Sequence, residues 1–251
     1  MKALLAAVAF LTRIPVPYHW YQDIDFACVS RLFPLVGGLI GSVAALVLLA
    51  TAPLFGQPIA ATLTILSLLL LTGAFHQDGL ADLCDGFWGG QTRERKLAIM
   101  KDSQIGTYGV LSLIGATLLA SQCLAALPLA HAWAILIAAQ GGSRMMSGYL
   151  PALLPYARQD GNSKTPQRLH RPDVRHLLVL TGSGILTLFP LLYLAPAPAL
   201  ALATVLAMAS ALAVMTGLQR RHLGGYTGDT LGATQQIAEL AALLTAVAFF
   251  H

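Results

Sequence analysis

The sequence predicts an all-α, polytopic integral membrane protein: about seven transmembrane helices, with an N-terminal interfacial or re-entrant helix ahead of them. Three observations predict it. Of the 251 residues, 56% are hydrophobic and only 10% charged, whereas soluble domains carry roughly 25% charged residues, so the polar groups are too few to clothe a water-facing surface. Apolar runs close to the roughly 20 residues that cross a bilayer recur along the whole chain. The connections between these runs alternate strictly between uncharged turns and long polar, basic segments.

The elements follow in order. Leu4 to Leu11 is apolar like a short signal-peptide core, but Arg13, Pro15 and Pro17 follow it instead of a small-residue cleavage site, so the segment is expected to be retained. Met1 to Pro17 is thin for a span, and Arg13 with two prolines would interrupt it in hydrocarbon. A helix lying in the interface is therefore favoured over an eighth span. The spans then run Leu32 to Phe55, Pro58 to Phe75, Gly109 to Leu127, Ala132 to Leu154, Leu177 to Leu194, Ala197 to Leu218 and Leu231 to Phe250. Gly56-Gln57, Pro128 to His131 and Ala195-Pro196 contain no Lys, Arg, Asp or Glu and face one side. His19 to Arg31, His76 to Tyr108, Pro155 to His176 and Gln219 to Thr230 hold most Lys and Arg, which makes theirs the cytoplasmic side and places the C-terminus outside.

No internal repeat or low-complexity linker divides the chain, so residues 1–251 form one membrane-embedded domain. Gly37, Gly38 and Gly41, and likewise Gly141, Gly142 and Gly148, let helices approach closely. The net charge of +4 is dispersed among loops, which argues against nucleic acid as a partner. Cys28, Cys84 and Cys123 are odd in number and widely separated, which excludes a disulfide framework and a paired-cysteine zinc site.

The informative stretch is His76 to Gly86, where Asp78, Asp82 and Asp85 crowd the end of a span. On a helix they fall at i, i+4 and i+7 and project from one face. Like charges so placed need protons or cations, and hard oxygen donors suit Mg²⁺, with Mn²⁺ the alternative. A solvated acidic loop is the blander reading, and three carboxylates on one face weigh against it. Gly79 and Gly86 either admit a diphosphate or serve a turn. Gln91 to Lys96 and Lys101 to Gly109 then mix bases with Glu94 and Asp102. Arg93, Arg95 and Lys101 suit phosphate oxygens, although Arg93, Arg95 and Lys96 equally suit a topology signal. The loop Gly224 to Gly232 opens the last helix, where Gly228 can help cradle phosphate and Asp229 is a cap or a further metal ligand. Arg144 and Glu239 lie within apolar spans, as functional groups or as a structural pair. His76 is a hydrogen-bonded side chain, a metal ligand or a base. The candidate catalytic and metal-ligating residues are thus Asp78, Asp82 and Asp85. The candidate substrate- and phosphate-binding residues are Arg93, Arg95, Lys101, Asp102, Arg144, Gly228 and Asp229.

Read together, Phe10-Leu-Thr-Arg-Ile-Pro-Val-Pro17, Phe33-Pro-Leu-Val-Gly37, His76 to Gly86, Arg93-Glu-Arg95, Ile99-Met-Lys-Asp-Ser103 with Ile105-Gly-Thr107, and Gly224 to Gly232 resemble, in this order and over the whole chain, the cobalamin-5'-phosphate synthases, also called adenosylcobinamide-GDP ribazoletransferases. Tyr156 to Gly161 is a looser match and a candidate substrate loop. The resemblance implies a Mg²⁺-dependent transferase of the bacterial inner membrane, with its active site on the cytoplasmic side. Its substrates would be adenosylcobinamide-GDP and α-ribazole or α-ribazole 5'-phosphate, and its products adenosylcobalamin or its 5'-phosphate and GMP, the last assembly step of the cobamide nucleotide loop. Its surroundings would be the lipid bilayer, with a second copy of itself or other nucleotide-loop enzymes as further partners. The resemblance leaves open which acceptor works, how many metals bind and what each aspartate does.

Two other readings compete. Asp82-x-x-Asp85-Gly86 echoes the start of the CDP-alcohol phosphotransferase motif, but Phe87-Trp88-Gly89-Gly90 follows where that family has Ala-Arg and two later aspartates. A cation transporter would explain Arg144 and Glu239, but the carboxylates gather in a loop, and no pair of broken helices recurs in the two halves.

Overall fold

A computed structural model describes residues 1–22, 24–158, 172–193 and 197–251. These residues form helices and no strand: α1 (Lys2–Leu11), α2 (Phe26–Ser30), α3 (Phe33–Phe55), α4 (Gln57–Thr72), α5 (Phe75–Gly89), α6 (Arg93–Ile99), α7 (Thr107–Ala126), α8 (Leu129–Gly148), α9 (Leu150–Leu153), α10 (Val174–Leu188), α11 (Ala197–Leu223) and α12 (Gly228–Phe250). An isolated bridge pairs Tyr156 with Tyr226. Each of the seven expected spans overlaps a helix that starts within three residues of it, and the span from Ala132 to Leu154 is divided between α8 and α9.

Among the described residues, five segments are long and apolar enough to cross a membrane: Phe33–Phe55, Thr107–Ala126, Val174–Tyr193, Pro198–Leu223 and Gly228–Phe250. A sixth arises if α4 and α5 are counted together, although they are bent by 91°. The expected count of seven is therefore not reached by these criteria, and α8 shows why. It is as long as a span, but Gln140, Ser143 and Arg144 make it polar, and most of it is buried within the bundle. A helix surrounded by protein need not be apolar all round. The lipid-facing helices instead present Leu46, Leu70, Leu118 and Val214 outward.

α8 is the axis around which the bundle closes. Gly37 and Gly41 of α3 stand four residues apart and let the two backbones touch. A Cβ on Gly41 would lie 2.6 Å from the Leu136 carbonyl oxygen, and one on Gly37 would overlap that of Gln140. Without a hydrophobic drive between helices in lipid, such close packing supplies much of the cohesion. Gly56, with φ +78, joins α3 to α4 without a loop, and the Gln57 amide donates to the Leu124 carbonyl in the last turn of α7 and to that of Leu127 just beyond it. On the opposite side, Gly73 and Ala74 are both left-handed, with φ +64 and +56. Two such residues in succession make the sharp elbow that turns α5 across the end of the bundle.

The ten residues of α1 extend about 15 Å, too short to cross hydrocarbon. Phe10 anchors this helix, with ring contacts at 5.2 Å to Phe26, 5.4 Å to Phe33 and 5.3 Å to Phe75. The Arg13 amide donates to the Leu71 carbonyl at 2.7 Å, so the N-terminal segment is fastened to the elbow.

Candidate active site

α5 carries the three expected aspartates on one face but in three environments. Asp78 is exposed, Asp82 half-buried and Asp85 buried. Asp85 accepts the Gly106 N–H at 2.7 Å and the Gly109 N–H at 2.8 Å, so its carboxylate holds the start of α7. The two glycines are there for space, because a Cβ on Gly106 would sit 2.5 Å from Asp85 Oδ1 and one on Gly109 would clash with Oδ2. A carboxylate on a helix N-terminus is stabilised by the dipole as well as by the bonds.

α12 begins against α5. A Cβ on Gly79 would lie 2.5 Å from the Asp229 carbonyl oxygen, so only glycine allows this crossing. The cap of α12 is Thr227, which exchanges side-chain hydrogen bonds with Thr230. Asp229 is therefore free of capping duty and joins the carboxylates of α5. Burial first, then Asp229 and Asp78, push the Asp82 carboxyl up to about 7; Arg158 opposes this, and Asp85 adds a smaller push. Arg158 pairs with Asp229 at 2.7 Å and also donates to the Met100 carbonyl at 3.3 Å. Arg158 is the site residue that sequence reasoning reached only as part of a loop. The rest of that loop, Gln159 to Gly161, lies outside the described residues, as does most of the polar stretch up to His176.

The basic residues divide. Arg93 donates to the Leu223 carbonyl at 2.7 Å and the Ala157 carbonyl at 2.6 Å, tying α6 to the end of α11 and to the segment carrying Arg158. Arg95 and Lys101 are exposed. Asp102 is exposed and accepts the Gln104 N–H at 3.1 Å, a local turn. Lys96, unlike its neighbours, is buried: its Nζ lies 2.6 Å from His222 Nδ1 and 5.9 Å from the centre of the Phe87 ring. Gly228 leaves open space where a Cβ would stand.

Among the described residues, no three His, Cys, Asp or Glu side chains are grouped closely enough to cage a metal ion. The site is an open acidic face with an arginine at its edge, set at the end of a membrane bundle. Against this geometry, the family model described as cobalamin-5-phosphate synthase matches residues 3–247.

The chain belongs to the cobalamin-5-phosphate synthase family.

Its relatives include proteins named adenosylcobinamide-GDP ribazoletransferase. That of Shewanella amazonensis is 41% identical, covering 97% of this chain and 94% of its own. That of Shewanella baltica is 43% identical over 94% and 90%. That of Shewanella frigidimarina is 41% identical over 99% and 95%. No solved structure matches.

In this family member the remaining ionisable candidates lie deeper. Arg144 is 2% exposed and donates to the Gln140 carbonyl at 2.8 Å and to its side-chain oxygen at 2.6 Å. Gln140 in turn donates to Glu239 at 2.6 Å. The two ions thus meet through a bridging amide and not as a direct pair. Gln235 adds a bond to Glu239 at 2.7 Å and one to Ser143 at 2.9 Å. His76 is buried where α5 crosses Gly232 of α12. The structure therefore brings Asp78, Asp82, Asp85, Asp229 and Arg158 together, and sets Arg144 and Glu239 beneath them inside the bundle.

Proposed function

We propose that this chain joins the corrinoid of adenosylcobinamide-GDP to α-ribazole or α-ribazole 5'-phosphate on the open acidic face formed by α5 and the start of α12. The observation that carries the proposal is the convergence of Asp78, Asp82 and Asp229 beside Arg158, with burial and like charge strong enough to hold the Asp82 carboxyl near neutrality. Carboxylates kept this close call for a counter-cation at the moment of reaction.

Mg²⁺ fits this donor set. It is commonly bound by one or two carboxylates together with substrate phosphates and several waters, and so needs no all-protein cage. Asp78 and Asp82 would hold it, with Asp229 at its edge, and when bound it neutralises charge on the diphosphate. The chain's own groups do the rest. The ribazole 3'-hydroxyl attacks the phosphorus nearer the corrinoid, a new P–O bond forms, and the bridging P–O bond breaks to release GMP. The hydroxyl proton passes to a carboxylate of the cluster. Arg158 and the exposed Arg95 and Lys101 face phosphate charge, and Gly228 leaves room for it at the start of α12. Asp85 and Arg93, whose groups are engaged by backbone, position α7 and the Arg158 segment. Arg144, bonded to Gln140 within α8, lies at the α3–α8 crossing over Gly37.

The basic loops surround this face, which supports a cytoplasmic orientation in a bacterial inner membrane. The deciding experiment is GMP release by the purified protein given adenosylcobinamide-GDP, ribazole 5'-phosphate and Mg²⁺, with and without a chelator. Release that requires all three, accompanied by a cobamide product, is expected. Well-folded protein that releases no GMP would overturn the reaction, and release unaffected by the chelator would overturn the metal.

A further inference from the structure

A cavity of about 550 Å³ lies between the N-terminal segment and the elbow, lined among others by Phe10, Thr12, Arg13, Phe75, Gln77 and Asp78. Its size is that of a small-molecule site. Its polar groups are incompletely engaged. The Arg13 guanidinium has no carboxylate within ion-pair distance among the described residues, and the Gln77 side-chain oxygen is buried without a partner. Arg13 is nevertheless held in place: its backbone is bonded to Leu71, and its side chain lies over Gly73, where any Cβ would collide with the guanidinium. Asp78 belongs both to this cavity and to the acidic face, so whatever occupies the cavity touches the reacting centre.

We infer that Arg13 is a substrate-binding residue that holds a phosphate of the acceptor in this cavity, with the buried Gln77 oxygen accepting from an acceptor hydroxyl. The inference rests on the reaction proposed above and assigns its second substrate a place. Two anionic substrates must reach one face. The basic side, α6 followed by Lys101, packs on α5 around Gly86 through Lys96 and Met100, roughly 12 Å along the helix from Asp78 at 1.5 Å per residue. A diphosphate on that side and an acceptor phosphate at Arg13 approach Asp78 and Asp82 from opposite ends, which leaves room between them for the attacking and leaving oxygens to lie in line. Arg is suited to this task because its planar fork matches phosphate oxygens and stays charged beside a carboxylate.

The test is steady-state kinetics of Arg13→Gln in the full-length protein, with each acceptor and with the donor varied in turn. The expected result is a KM for ribazole 5'-phosphate raised roughly ten- to a hundredfold, the worth of one charge-assisted hydrogen bond, with a much smaller change for unphosphorylated ribazole, and partial recovery in Arg13→Lys. A raised KM for adenosylcobinamide-GDP with either acceptor would move the phosphate to the donor and overturn the acceptor assignment. Unchanged KM values for both substrates, including a variant sensitive only to anionic lipid, would overturn the site altogether. Should Arg13→Gln fail to fold, Ala9→Phe, which fills the cavity without touching a charge, is expected to raise the KM for both acceptors, and an unchanged KM there would overturn the proposal. Absence of turnover in the unaltered protein would instead count against the reaction itself.

Discussion

The molecule holds two clusters of ionisable groups, one above the other, and they are built on opposite principles. In the lower one, Arg144, Gln140, Glu239, Gln235 and Ser143 form a buried network in which the carboxylate receives amide hydrogen bonds and the arginine is bonded to Gln140. In the upper one, Asp78, Asp82 and Asp229 crowd one face with Arg158 as their local cation. A network whose carboxylate is met by its own amides specifies a packing, even with the Arg144 Nε left unbonded; a cluster of like charges waits for a partner. Both kinds of charge look alike in a sequence, and the difference between them separates the machinery from its support.

The sharpest way to break this comparison is at the upper cluster. Asp82→Ala, or Asp78→Ala, is expected to lower turnover by about a thousandfold or more, as loss of a metal-holding or proton-accepting group does. Membrane insertion and melting temperature should be retained, measured by GMP release and thermal unfolding in detergent. Activity retained in both variants would demote the cluster. The lower cluster should answer in the other currency. Glu239→Leu alone strands Arg144, and losing one partner of a buried charged network costs about 3–5 kcal/mol, read as a large fall in melting temperature. The double variant Arg144→Met with Glu239→Leu removes both charges and is expected to recover much of that loss and measurable turnover. A double variant that is stable but inactive would place Arg144 in the reaction.

Much of this was legible in the sequence. The apolar runs give the helices because their length and spacing are set by the bilayer, and the i, i+4, i+7 spacing of Asp78, Asp82 and Asp85 is local, so one shared face follows once α5 is a helix. What was not legible depends on contacts between distant segments. Asp85 looks like its two neighbours until α7 arrives and offers it the N–H groups of Gly106 and Gly109, 21 and 24 residues away. Arg158 acquires its role only because Asp229 is brought to it across 71 residues. Some signals could have been read. Gly106 and Gly109 flank Thr107 and Tyr108 at a helix start, the pattern expected where a side chain must approach the backbone. Likewise Thr227, three residues ahead of Thr230, is a better cap than Asp229.

Asp85 therefore tests a smaller effect, midway between the two clusters. Asp85→Asn keeps the size of the side chain but replaces one acceptor with a donor pointed at a backbone N–H. The expected cost is about 1–3 kcal/mol for the stranded buried group, seen as a lower melting temperature together with reduced turnover. An Asp85→Asn variant with unaltered stability and no turnover would show that its carboxylate acts on substrate and does not simply hold α7.

The smallest expected effect separates repulsion from function within a single side chain. Because burial and the neighbouring carboxylates raise the Asp82 carboxyl to about 7 in the folded protein, its charged form works against folding. Stability linked to this group is complete at pH values below the unfolded carboxyl's range and is lost as pH rises through about 7. Asp82→Asn removes the charge at every pH. In the presence of a chelator the variant should melt slightly above the unaltered protein at about pH 8, and the two should converge only below about pH 4, where the carboxyl is protonated in the unfolded chain as well as in the folded one. Since Asp82 is half-exposed, solvent screening keeps the difference small. Added Mg²⁺ should then stabilise the unaltered protein and not the variant, reversing their order. If the variant melts lower at every pH without metal, Asp82 is held by a partner and the upper cluster is a closed network like the lower one. If the order reverses as expected, the instability of this face is what the reaction uses.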